Sequence, residues 1–286
     1  MKAIIYPSGG LGTTLEYGIK HFSREKGPLV GNPLTTYGSM HNYRLEKHIA
    51  WIDQVNEEMR DENKIVTIIS PCHGQDYETS IAKIKRFLND KDQIIFISFN
   101  TVRAVEILWL MKYTKLPLTS EMSSISPECY RQWDPNANSA LDLKVWQLRE
   151  LLSIQFNDQF DTYINSDRYA DGHWLIVDFE KTFSELPNII DQCISYFNWE
   201  RNLEDIGPFF ETWSSKQKDI TDRLIEIDNI ISNTLGSEKF TWNNLPLIDQ
   251  VLIQARLLRQ GYELACDGLN DFPTNSIDLK KLLIRT

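Results

Sequence analysis

Met1-Lys-Ala-Ile-Ile-Tyr-Pro7, followed by Ser8-Gly-Gly-Leu-Gly-Thr-Thr14 and then Leu15 to Arg24, gives a strand, a glycine-rich turn and a helix in direct succession. Ile4, Ile5 and Tyr6 carry the branched and aromatic side chains that suit a buried, pleated strand. Pro7 ends it, and Gly9, Gly10 and Gly12 permit backbone angles that a side chain would forbid. Thr13 or Thr14 is expected to cap the helix, whose apolar positions Leu15, Ile19 and Phe22 recur at helical spacing. A turn of this kind collects backbone N–H groups at the positive end of a helix, which suits phosphate or sulfate. A plain tight turn would need the same glycines for geometry alone. The position at a strand-to-helix junction, with hydroxyls following, favours the anion.

Outward from this unit the pattern repeats. Lys64-Ile-Val-Thr-Ile-Ile-Ser70 and Gln93-Ile-Ile-Phe-Ile-Ser-Phe99 are near-continuous apolar runs, as expected of parallel strands covered on both faces. His173 to Glu180 reads as a further strand. Helical spacing is expected over Tyr43–Met59, Thr79–Leu88, Val102–Tyr113, Leu141–Ile164 and Pro187–Asn198. Strands alternating with helices predict a three-layer α/β/α fold around a central parallel sheet with right-handed connections. Residues 1–200 form this domain in the expected layout. The turn-rich stretch at about 115–140 is an insertion suited to a lid or acceptor-binding role, with Tyr130 and Trp133 able to stack on a ring. Residues 201–286 are expected to form a helical extension packed on the domain. Its stripes, Ile220, Leu224, Ile227 and Ile231, then Val251, Leu252, Ala255, Leu258 and Tyr262, would bury against it or against a second subunit.

Composition narrows the function classes. A net charge of −10 leaves no basic surplus to neutralise nucleic acid or an anionic membrane, while a small anion can still be held locally by backbone amides. The four cysteines, Cys72, Cys129, Cys193 and Cys266, are widely spaced and form no CxxC pair; no metal site is expected. With no signal peptide and no apolar run of membrane-spanning length, the expected location is the cytoplasm.

Two family patterns are visible in these residues. The GxxxxGK[ST] form of P-loop nucleotide triphosphatases requires lysine where this chain has Thr13. Pro7 with Gly12-Thr13-Thr14 resembles instead the phosphosulfate loop of sulfotransferases, in which a proline ending a strand leads into a Gly-Thr-Thr type turn. Gly10 and Leu11 stand where that family carries its loop lysine and a serine. A second patch, Ile176-Val-Asp-Phe-Glu-Lys-Thr-Phe183 followed by Ile189, Ile190, Cys193, Ile194 and Phe197, is similar to the late strand–loop–helix of the same enzymes. Gly9-Gly-Leu-Gly12 with Leu15-Glu-Tyr17 also resembles the opening of certain fucosyltransferases, although their later His-x-Arg-x-Gly-Asp motif is absent.

The sulfotransferase resemblance implies a P-loop fold and a 3′-phosphoadenosine 5′-phosphosulfate cofactor. It also implies transfer of a sulfuryl group to a hydroxyl of a small-molecule or glycan acceptor. Gly9, Gly10, Leu11, Gly12, Thr13 and Thr14 would hold the 5′-phosphosulfate. His73, just past the second apolar strand, would be the general base; a turn histidine bonded to backbone is the plainer reading. The family grips the 3′-phosphate with an arginine closing the third strand and a serine two turns into the next helix. Phe99 and Ile107 occupy those places here, leaving Ser98, Asn100, Thr101 and Arg103 as candidates. A solvated helix residue is the alternative for Arg103. The missing lysine, arginine and serine favour the alternative, a non-catalytic binding or scaffold protein on the same fold.

Overall fold

The computed structural model describes residues 1–7, 11–24, 43–44, 64–69, 77–114, 164, 166–234, 249–250, 252–253 and 256. Five strands form one sheet in the order β2-β3-β1-β4-β5, and every pairing is parallel. They are β1 (Lys2–Tyr6), β2 (Tyr43–Arg44), β3 (Ile65–Ile69), β4 (Gln93–Ser98) and β5 (Leu175–Asp178). The helices are α1 (Gly12–Phe22), α2 (Tyr77–Lys85), α3 (Val102–Thr114), α4 (Leu186–Tyr196) and α5 (Gly207–Thr234), with single 3₁₀ turns at Ser166–Tyr169 and Glu180–Phe183.

Burial explains why the apolar runs become central strands. Consecutive residues Ala3, Ile4, Ile5 and Tyr6 are all buried, as are Ile94, Ile95, Phe96 and Ile97, so both faces of β1 and β4 are covered. Each large aliphatic side chain so buried contributes about 1.5–3 kcal/mol of transfer free energy. Registers run from Lys2↔Ile65 to Tyr6↔Ile69 on one side of β1 and from Lys2↔Gln93 to Ile5↔Phe96 on the other. The expected parallel α/β core is present.

Several local expectations are corrected. Tyr43 and Arg44 do not begin a helix; they pair in parallel with Ile68 and Ile69, because the open edge of β3 offers backbone partners that outweigh local periodicity. Ile164 is not helical either, forming an isolated parallel bridge with Phe99. β5 is shorter than the apolar pattern: Trp174 N donates to Asp171 O within a turn, and Glu180 already belongs to a 3₁₀ turn. α5 begins at Gly207, well before Ile220, the first residue of its expected stripe. The insertion at about 115–140, the expected helix over 45–59 and the expected helix over 141–163 lie outside the described residues.

The chain divides into two compact units, residues 1–105 with 161–218 and residues 106–160 with 219–286. In the first, α1 packs against α4, where a Cβ on Gly18 would meet Ile190 Cδ1 at 2.5 Å. The carboxyl end of α1 is closed by the segment after α4. Asn202 N donates to Phe22 O (2.9 Å), Asn202 Nδ2 to His21 O (2.7 Å), and Arg201 Nη1 to Phe22 O (3.0 Å). These donors meet carbonyls that a helix end leaves without internal partners. In the second unit Arg256 donates to both carboxylate oxygens of Glu106 (2.7–3.0 Å) and to Asp228. Burial opposes charge on this arginine, but the two carboxylates outweigh it and raise its pKa.

Candidate functional site

In an open parallel sheet, ligands bind beyond the carboxyl ends of two adjacent strands whose connections leave in opposite directions. β1 and β4 are such a pair: β1 leads toward β2 and β3 on one side, and β4 toward β5 on the other. The two junctions singled out in the sequence, after Tyr6 and after Ser98, therefore follow the carboxyl ends of neighbouring strands in the first unit.

On the β1 side, the helix opens two to three residues earlier than its threonines suggest. Leu11, not Thr13 or Thr14, is the N-cap, held in the left-handed region at φ 65° with no side-chain cap. That conformation costs a leucine roughly 1–2 kcal/mol. The first helical bond is Leu15 N to Leu11 O at 2.9 Å. The amides of Gly12, Thr13 and Thr14 precede it, at the positive end of the dipole. Thr14 is buried and Thr13 half-buried. Gly12 has a packing reason to be glycine, since a Cβ there would lie 2.1 Å from Cδ1 and Cε1 of Tyr6. Gly9 and Gly10 lie outside the described residues, as does His73.

On the β4 side the junction is filled by its own side chains. Ser98 is buried, with Oγ directed at Val177 O (3.4 Å), and its carbonyl accepts from Phe179 N (2.9 Å). Phe99 stacks on Phe179 with ring centres 4.5 Å apart and is a fully buried core residue. Asn100 is exposed. Thr101 caps α3, its Oγ1 accepting from Ala104 N at 3.0 Å and donating to Glu180 Oε2 at 2.6 Å. Arg103 Nε lies 3.7 Å from Glu180 Oε1, with both side chains about one-third exposed. Asp178 Oδ1 accepts from Glu180 N (3.0 Å) and fixes the turn that carries this carboxylate.

Nothing in the sequence pairs Glu180 with Arg103 beyond the acid recurring at the end of the β5 segment. Nor does the sequence mark Glu16 and Lys20, which form a buried ion pair inside α1 (2.7 Å). Burial raises the Glu16 pKa, and Lys20 works against that rise. Among the described residues, no three His, Cys, Asp or Glu side chains converge as a metal site, and no helix is long and apolar enough to cross a membrane. No protein-family model and no characterised protein matches the chain.

Proposed function

We propose that this chain is a sulfotransferase-like P-loop protein. It binds a phosphoadenosine phosphosulfate-type donor in the crevice between β1 and β4 and transfers the sulfuryl group to an acceptor hydroxyl. The observation that carries the reading is topological. The glycine-rich turn leaves the central strand of a parallel 2-3-1-4-5 sheet and delivers a helix N-terminus, uncapped by any side chain, to the switch point.

In this reading the amides of Gly12, Thr13 and Thr14, with the Gly9–Gly10 backbone, hold the 5′-phosphosulfate. His73, four residues beyond the end of β3, takes the acceptor proton. The acceptor oxygen forms a bond to sulfur as the bond from sulfur to the phosphate oxygen breaks, and 3′-phosphoadenosine 5′-phosphate leaves with the electron pair. Such in-line transfer needs positioning and charge stabilisation more than covalent help. Arg103 is the candidate for the 3′-phosphate. A second reading, a non-catalytic binding protein on the same fold, is favoured by one observation: Arg103 is already paired with Glu180.

Calorimetry with 3′-phosphoadenosine 5′-phosphate, ADP and GDP, together with a transfer assay using labelled donor, tests these readings. Binding of the first ligand with donor consumption supports transfer, and His73→Ala should then abolish turnover while sparing binding. Binding without transfer supports the second reading. Preference for GDP, as for a nucleotide-sugar transferase, contradicts both, and no nucleotide binding at all leaves only the non-catalytic binding or scaffold reading.

A further inference from the structure

We propose that Glu180 is an internal counter-anion for Arg103, which a ligand phosphate must displace, so that its charge sets the affinity of the β4 side of the crevice for a phosphomonoester. The inference deepens the reading above and rests on it for the choice of nucleotide.

The carboxylate makes two contacts at once. Oε2 accepts from the Thr101 hydroxyl, and Oε1 faces the Arg103 guanidinium. Hydrogen bonds fix the turn that carries it: Phe179 N donates to Ser98 O, Glu180 N to Asp178 Oδ1, and Thr182 Oγ1 to Phe179 O at 2.6 Å. Glu180 is thus a fixed neighbour of the arginine. At 3.7 Å and about one-third exposure the pair is an ion pair without a hydrogen bond, of the class that contributes little and opens readily. A phosphomonoester offers Arg103 a better, bidentate partner. It arrives, however, beside a carboxylate of its own sign. Removing that charge removes the competition that Glu180 itself offers for Arg103, and the repulsion, an effect of about tenfold for a partly exposed charge pair.

Glutamine at 180 keeps an acceptor for Thr101 while losing the charge, so Glu180→Gln isolates the electrostatic role. Calorimetry on the full chain should show 3′-phosphoadenosine 5′-phosphate binding about tenfold tighter to Glu180→Gln than to the native protein. Affinity for adenosine 5′-phosphate, which lacks the displacing group, should be unchanged. The gain should vanish when Arg103→Ala is added and should reappear in Glu180→Ala. The proposal is overturned if the bisphosphate binds Glu180→Gln no tighter, or if the gain survives without Arg103. If no nucleotide binds any variant, the donor reading fails by itself, and titration with inorganic phosphate then decides this one. Thermal stabilisation by phosphate that is larger in Glu180→Gln and lost with Arg103→Ala upholds it, whereas equal responses reject it.

Discussion

The strand-to-helix junctions after β1 and after β4 lie side by side at the same edge of the sheet and solve the same problem differently. After β4, the first turn of α3 is satisfied from within: Thr101 caps Ala104 N, Glu180 accepts from Thr101, and Arg103 faces Glu180. After β1, α1 starts from a leucine at φ 65° with no side-chain cap, and Tyr6 lies where a Cβ on Gly12 would go. A protein that needed only to stop a strand and start a helix has the cheaper solution on display one strand away. The left-handed entry and the missing cap at α1 are features that an anion on the Gly12–Thr14 amides would offset.

The contrast can be broken most forcefully from beneath α1. Without a cap, α1 depends on its buried face, which includes the Glu16–Lys20 pair. Glu16→Ala, which leaves the Lys20 ammonium buried without this partner, should cost roughly 3–5 kcal/mol in chemical denaturation. Replacing both, as Glu16→Leu with Lys20→Met, should be neutral or stabilising by about 1–4 kcal/mol. The pH dependence has a definite sign. Burial raises the Glu16 pKa above its unfolded value, so the folded state holds this proton more tightly and its contribution to stability falls as pH rises through that raised value. The advantage of the double variant should therefore grow from about pH 4 upward.

Gly12→Ala comes next. It should destabilise by roughly 1–3 kcal/mol through overpacking against Tyr6. A gain in stability, as alanine gives at an ordinary helix position, would show that the ring gives way and that Gly12 is not required by packing. The smallest effects separate the two caps. Thr101→Ala should cost about 1 kcal/mol, whereas Thr13→Ala, which caps nothing, should stay within about 0.5 kcal/mol in thermal or urea unfolding. Equal losses at the two positions would erase the contrast.

The strands of the core were legible because β1, β3 and β4 are buried on both faces, which leaves unbroken apolar runs such as Ile94–Ile97. β2 was not, because two residues carry no period of their own and take their conformation from the edge of β3. The helix starts from Leu11 and not from the threonines that usually cap, and nothing in a leucine flanked by glycines announces a positive φ. Both crevice junctions were visible as motifs, but their adjacency was not: it follows from the order of strands, a long-range property. The Arg103–Glu180 pair joins separate elements for the same reason. Glu16 and Lys20 have the four-residue spacing of a surface pair, and sequence spacing alone does not distinguish a solvated helical pair from a buried one.

The central claim concerns three amides, and backbone NMR reads them individually. Titration of the labelled full chain with 3′-phosphoadenosine 5′-phosphate should shift the Gly12, Thr13 and Thr14 amide resonances in a saturable manner. Amides at the far end of α1, around Phe22, should stay in place. Saturable binding that leaves those three resonances unmoved, or no binding of any phosphate ligand, would contradict the account.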